Sequence, residues 1–205
     1  MQSLALSKIL KRLLVPVLGA LLAASAGSAA AADSYWQQVK DRGTIRVGVL
    51  VDWPPYAAAD AQNQPSGYDG GVAKLLADHY GLKLEYVVMT GPNRIPFLLT
   101  DKADVLVASL AITPEREQVV NFSDPYYESE QALFVPPGSD ITSVEDLAGK
   151  TVAAQDGTTG EAYANDETDA GQVRGFPTGA AAIASVVNGQ ADAGIVDAPP
   201  IGVRG

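Results

Sequence analysis

The sequence predicts an α/β protein made of two units, each a mainly parallel sheet flanked by helices. Three observations predict it. Short β-branched runs alternate with stretches of helical spacing, the rhythm that produces parallel sheets with right-handed crossovers. The break Pro136-Pro137-Gly138 interrupts that rhythm, and it restarts afterwards. The first 32 residues follow neither pattern and read as an export signal.

That signal has three parts. Lys8, Lys11 and Arg12 precede an apolar run from Leu13 to about Ala24, and Ala30-Ala31-Ala32 offers a small-residue cleavage site before Asp33. The run is too short to span a bilayer. Its removal takes away three cations and no anion. That leaves 11 Lys+Arg against 24 Asp+Glu, a formal charge of −13 where the whole chain carries −10. Such a charge argues against nucleic acid and anionic lipid surfaces as partners. The chain has no cysteine, so neither a disulfide nor lipid attachment at a processed N-terminal cysteine is available.

The elements follow in order. Thr44–Leu50 alternates and is β-branched, which predicts a strand. Consecutive prolines make Trp53–Tyr56 a loop. Gly67–Tyr80 has helical spacing, with Val72, Leu75, Leu76 and His79 or Tyr80 on one face, and Gly81 ends it. Leu82–Met89 is a second strand. Asn93–Thr100 is a short helix with Asn93 as N-cap and Ile95, Leu98 and Leu99 inward. Ala103–Ala108 is a third strand. Gln131–Val135 is a strand that closes the first unit. After the break come a helical turn at Val144–Ala148, a strand at Thr151–Gln155 and a helix at Thr158–Ala164. A strand at Gln172–Phe176, an alanine-rich helix at Gly179–Asn188 and a strand at Ala191–Val196 complete the second unit.

One segment, Ala108–Tyr127, carries the most chemistry. An apolar run, Val105-Leu106-Val107, reaches Ser109, and Thr113-Pro114-Glu115-Arg116 follows. Threonine suits an N-cap and proline the first helical position, so Arg116 falls in the first turn of a short helix just after a strand. Backbone N–H groups, a hydroxyl and a guanidinium converge there, which suits a carboxylate. A surface arginine near a helix start is the plainer reading of the same residues. In the second unit, Gly157-Thr158-Thr159-Gly160 follows a strand and opens a helix, and Thr158 to Glu161 has capping-box spacing. Capping and ligand binding are both open for Thr158. Asp197 ends an apolar strand, where a carboxylate either caps the next turn or faces a cation.

These motifs resemble the family 3 periplasmic solute-binding proteins, the amino-acid-binding components of bacterial ABC importers. The matching pieces are G-T-I-R-V-G-V at 43–49, G-Y-D at 67–69, N-R-I-P-F-L-L at 93–99 and S-L-A-I-T-P-E-R at 109–116. F-S-D-P-Y at 122–126, D-L-A-G-K-T-V-A at 146–153, G-T-T-G at 157–160 and G-Q-A-D-A-G-I-V-D at 189–197 complete the set. The resemblance implies a periplasmic-binding-protein-like (type II) α/β fold, with lobe 1 at 33–134, lobe 2 at 135–205 and an amino acid in the cleft between them. It also implies that the family chain continues past the point matching Gly205 with a return crossover. A truncated chain of this kind is expected to expose a sheet edge and apolar surface on its first lobe.

By the same resemblance, Arg116 grips the ligand α-carboxylate, with the Ser109 hydroxyl and the Ala111 N–H assisting. Thr159, or Thr158 in a shifted register, adds a hydroxyl and N–H from lobe 2, and Asp197 pairs with the α-ammonium. Trp53 and Tyr56 fall where the family places aromatics against the ligand side chain, although an aromatic beside prolines also serves as a hydrophobic plug. Asn93 and Arg94 begin a helix at the cleft edge, and Arg94 there either meets a side-chain carboxylate or faces solvent. Binders of basic amino acids have an acidic residue three positions before the loop aromatic. That position is Leu50 here, and Asp52 is expected on the other side of the strand end, which disfavours lysine and arginine as ligands.

The implied partners are a small amino-acid ligand and the membrane permease of an ABC importer, for a monomer exported to the periplasm. No catalytic residue, metal or cofactor is implied. Two other classes share the fold: cyclic-acid dehydratases, and ligand-sensing domains of receptors. The single histidine, His79, falls near a helix end far from the motifs, so no Ser-His-Asp set can be assembled around it.

Overall fold

A computed structural model describes residues 35–198. The expected signal segment at 1–32, its cleavage site at Ala32 and the Pro199-Pro200 turn lie outside those residues. A helix over residues 35–42, α1, falls with Gly43 and Thr44 in a compact unit separate from the one that begins at Ile45. It ends at Gly43, whose φ of 68° lies in the left-handed region that glycine adopts freely.

The first sheet has the order β4-β1-β5, from Lys83–Val88, Thr44–Val49 and Val105–Leu106. β1 and β5 run parallel, with Val47 opposite Val105 and Gly48 opposite Leu106. The entry to β5 is fixed by Asp104. Its carboxylate accepts from the Arg46 backbone N–H at 2.7 Å and pairs with Arg46 Nη2 at 2.6 Å. Leu50, Ala57, Met89, Ala103 and Ala108 form a core cluster, with Trp53 and Phe97 against it. A two-stranded ribbon, β2 (Ala58–Ala59) and β3 (Pro65–Ser66), leads into helix α2, Gly67–Tyr80.

α2 has the bounds its sequence predicts, and Gly81 ends it in the left-handed conformation at φ 64°. Its buried face differs from the expected one. Asp69, Gly70, Ala73 and Ala77 turn inward, while Leu75 is 70% exposed. Small residues win because the helix sits close to its neighbours: a Cβ on Gly70 would lie 3.0 Å from the Pro65 carbonyl oxygen. The next helical segment begins as a 3-10 turn at Gly91–Asn93 and becomes α3 at Arg94–Leu99. Here too the inward face is not the predicted one, for Arg94 is buried and Leu99 is exposed. Asn93 makes no side-chain cap, and its amide donates to Thr90 Oγ1 at 2.9 Å. The short helix α4, Pro114–Glu117, is capped as predicted, with Thr113 Oγ1 accepting from the Arg116 N–H at 3.3 Å.

The second sheet has the order β6-β9-β7-β8, from Glu130–Phe134, Ala193–Ala198, Thr151–Gln155 and Gln172–Phe176. β7 runs parallel to both β8 and β9. β6 is a correction to the sequence reading. It was expected to close the first unit, with the division at 134–135, but it pairs antiparallel with β9 in the second sheet. The chain therefore changes sheets before Glu130, and Pro136-Pro137-Gly138 follows a strand already inside the second. α5 (Thr159–Asp166) and α6 (Gly179–Val187) complete this region. Its central strands β7 and β9 bury both faces, while the edge strands β6 and β8 are partly exposed. Val152, Ala193 and Ile195 pack with Leu147 and Ala164 in one cluster, while Ala153 packs with Ala182, Val186 and Ala191 in another.

Candidate functional site

The carboxyl ends of strands from both sheets meet on one cavity of about 130 Å³. Leu50 and Trp53 follow β1, Ser109 and Ala111 follow β5, Gln155 ends β7, and Ile195, Val196 and Asp197 lie along β9 toward its last residue, Ala198. Open α/β sheets bind ligands at this end because the loops there are free to vary around a fixed scaffold.

On the first-sheet side the chain after β5 turns at Ser109, which adopts φ 46°. A non-glycine residue in the left-handed region is strained and persists only where its surroundings hold it. Two buried charged residues do so. Asp69, 1% exposed and in the first turn of α2, accepts from Ser109 Oγ at 2.9 Å and from the Tyr126 hydroxyl at 3.1 Å. Arg94, 4% exposed, donates from Nη1 to the Ala108 and Ser109 carbonyls at 3.2 and 3.1 Å. Burial pushes the Asp69 carboxyl above its ordinary value, and the bonds from Ser109 and Tyr126 counter part of that push. Burial, aided by the charge of Arg116, lowers Arg94 to about 10, against the pull of Asp197, Asp52 and Asp69.

Arg116 donates from Nη1 to the Ala111 carbonyl at 2.8 Å and from Nη2 to the Gly157 carbonyl at 3.0 Å. These bonds use two of the five donors of a guanidinium. Burial lowers its pKa, with Asp197 and Glu115 opposing.

On the second-sheet side, β7 runs into Gly157 at φ 72°, then into α5. Thr158 spends its hydroxyl on the backbone, donating to the Gln155 carbonyl at 2.7 Å and capping the Glu161 N–H at 3.2 Å. The Glu161 carboxylate accepts from the Gly157 N–H at 2.8 Å, one residue earlier than in a standard capping box. Thr159 Oγ1 donates to Asp197 Oδ1 at 3.2 Å and accepts from Gln131 Nε2 at 2.9 Å. Gln131 also donates to Asp197 Oδ1, for the two stand directly opposite each other on β6 and β9. A Cβ on Gly160 would come within 2.8 Å of Gln131 Oε1, so the glycine makes room for this group.

Aromatic rings close the rest of the cavity. Tyr56 and Tyr127 lie 4.7 Å apart between centroids, and Tyr68 stacks on Tyr126 at 6.1 Å. Burial and the bond to Tyr56 push the Tyr127 hydroxyl up to about 12. Trp53 serves two ends: it packs on the first core cluster, and its ring edge lies against Gly179 at the start of α6. Asp52, beside it, has both carboxylate oxygens buried without a hydrogen-bond partner among the described residues. Burial pushes its carboxyl up.

Of the residues singled out from sequence, Ser109, Ala111, Thr158, Asp197 and Trp53 line the cavity, as do Tyr56 and Arg94. Arg116 and Thr159 stand just behind, bonded to Gly157 and Asp197. Asn93 is exposed and bonded to Thr90, apart from the lining. Arg94 is neither solvent-facing nor joined to a side-chain carboxylate, for its bonds go to backbone carbonyls. The sequence reading missed Gln131, Asp69 and the Tyr126–Tyr127 pair as site residues. Asp69 and Tyr126 lay inside motifs already noted, while Gln131 needed the antiparallel pairing to be known. Among the described residues no cluster of His, Cys, Asp or Glu could hold a metal ion, and no helix is long and apolar enough to cross a membrane.

Two α/β sheets whose strand ends share a cavity, with Arg94 on one side and Asp197 on the other, define a periplasmic-binding-protein-like (type II) architecture. Residues 45–195 match the bacterial extracellular solute-binding proteins, family 3, and the chain belongs to that family. It is similar to the glutamine-binding protein GlnH of a Bacillus subtilis (strain 168) ABC transporter. The two are 34% identical over 160 residues, which cover 76% of this chain and 59% of the relative. It is also similar to the arginine-bound form of truncated ArgBP from T. maritima, with 39% identity, TM-score 0.75 and coverage of 79% and 77%. A third likeness is to the ancestral amino acid-binding protein AncCDT-1, a precursor of cyclohexadienyl dehydratase. There the identity is 39%, the TM-score 0.74 and the coverage 79% and 74%. The chain spans about half the length of several curated relatives it matches.

Proposed function

We propose that this protein binds a small amino acid or related amino-carboxylate in a cleft between two lobes and delivers it to the permease of an ABC importer. One observation carries the reading: Arg94 and Asp197 line a single cavity from different sheets, with Arg116 directly behind its wall at Gly157. A zwitterion satisfies such a pair of poles at once, its carboxylate toward Arg116 and its ammonium toward Asp197. Ser109, the Ala111 N–H and Thr159 complete the polar contacts, and Trp53 and Tyr56 flank the ligand side chain. The ligand docks on the first-sheet side and the second closes over it. Closure is driven by contacts to both sides, because a ligand shifts an equilibrium only through differential affinity.

The protein acts as an exported, monomeric carrier in the periplasm, without a catalytic step. Leu50 lines the cavity at the position where binders of basic amino acids carry an acid, so neutral amino acids rank before arginine. Calorimetry with a panel of amino acids tests the reading. The expected result is tight binding of one or a few neutral amino acids, and no binding across the panel contradicts it. The likeness to AncCDT-1 motivates one control, incubation with prephenate or arogenate. The carrier reading expects no aromatic product.

A further inference from the structure

We propose that Arg94 is a positioning residue that clasps the two sides of the cleft, pinning the Ser109 turn and the Gly157 loop in one arrangement for whatever ligand is bound. Its guanidinium serves four carbonyls on three separate stretches of chain. Nε donates to Gly91 at 3.0 Å, Nη1 to Ala108 and Ser109 at 3.2 and 3.1 Å, and Nη2 to Gly157 at 2.8 Å. Gly91, Ala108 and Ser109 belong to the first-sheet side, and Gly157 follows β7 of the second. A planar fork of five donors reaches such a set where a lysine ammonium cannot.

Three features show that this clasp is built into the chain. The Ser109 turn at φ 46° is strained, and Arg94 holds its carbonyl while Asp69 holds its hydroxyl. Gly157, at φ 72°, accepts both Arg94 Nη2 and Arg116 Nη2 on one oxygen. The two loops also abut. A Cβ on Gly91 would lie 2.8 Å from the Asp156 carbonyl, and one on Gly157 would lie 3.4 Å from Pro92 Cα. Glycines at both positions let the backbones approach over the buried guanidinium. A residue selecting ligands with a second carboxylate would aim paired donors into the cavity, whereas those of Arg94 are engaged by backbone.

The ligand arm of the test rests on the amino-carboxylate reading; the distance arm does not. The chain has no cysteine, so Leu75→Cys and Val187→Cys, both at exposed positions on opposite sides, allow site-specific dye labelling. Energy transfer between the dyes is measured without ligand in the full chain, with Arg94 intact and in Arg94→Met and Arg94→Lys backgrounds. The clasp biases the ligand-free equilibrium toward the closed arrangement that ligand then completes, so it predicts a larger share of short distances with Arg94 and a shift to longer distances in both variants. An unchanged distribution overturns it, and so does loss of the native circular dichroism spectrum in both variants, which makes Arg94 a folding residue only. Calorimetry with neutral and acidic amino acids then expects both variants to weaken every bound ligand by a similar factor, on the order of tenfold. Loss confined to aspartate and glutamate makes Arg94 a ligand contact and overturns the proposal. If the unmodified protein binds no amino acid, the carrier reading fails, while the distance arm still decides the clasp.

Discussion

The two sides of the cleft hold their polar groups by opposite means. On the first-sheet side, buried charges immobilise backbone: Asp69 and Arg94 lock a strained serine turn from below. On the second, polar side chains near the surface arrange one another: Gln131 and Thr159 position Asp197 near the end of β9, and Thr158 caps the helix that carries Thr159. The first arrangement is rigid and intolerant, because a buried polar group that loses its partner bears the full desolvation cost. The second tolerates change, because water can replace a lost partner. This asymmetry suits a site in which one side is prebuilt and the other closes onto it.

The largest effect is expected at Asp69. Asp69→Ala leaves the Ser109 and Tyr126 hydroxyls without their acceptor and should cost about 2–3 kcal/mol in urea unfolding. A loss no greater than that of a surface substitution breaks the claim that this side is prebuilt. Next is Gly179→Ala. Its Cβ would lie inside van der Waals contact of Trp53 Cζ3 and Cε3, and overpacking of that kind costs about 1–3 kcal/mol. Partial opening of the cleft, read as longer dye-to-dye distance, is the expected relief. A gain of about 1 kcal/mol from helix propensity alone shows that the contact yields freely.

On the second side the effects are smaller. Thr158→Ala removes an N-cap and should cost about 1 kcal/mol, measured by chemical denaturation. A smaller stability effect than Asp69→Ala sharpens the comparison, and a larger one reverses it. The smallest effect is that of Asp52→Asn, and it depends on pH. Burial raises the Asp52 carboxyl in the folded state, so ionising it at neutral pH penalises the fold. The substitution should raise the melting temperature at pH 7. That gain should shrink as pH falls through the raised folded value, and vanish below the ordinary carboxylate range, where both states are protonated. A gain that is constant with pH assigns the effect to packing.

Helix and strand positions were legible because period and punctuation are local. Gly67–Tyr80 ends at Gly81 through a left-handed cap that only glycine fills easily, and Thr113-Pro114 caps α4 as such pairs do. Which face turns inward was less legible. α2 presents Gly70, Ala73 and Ala77 because close approach outweighed the burial of Leu75. β6 misled because a strand's partner is not written in its own residues, and its pairing with β9 is what brings Gln131 onto Asp197. Arg94 misled in the opposite way. A charged residue at a helix start is normally exposed, and only a full set of nearby carbonyls makes its burial tolerable.

The central claim is that an amino-carboxylate is held from both sides of this cavity. Calorimetric titration of the intact chain against Arg116→Ala and Asp197→Asn, using the amino acid that binds tightest, tests it most directly. Each substitution removes a charge-assisted contact from a different side. Each should weaken binding by roughly 10- to 100-fold, equivalent to about 1.4–2.8 kcal/mol. Unchanged affinity in Arg116→Ala would contradict the carboxylate assignment, and unchanged affinity in both would remove the two-sided site.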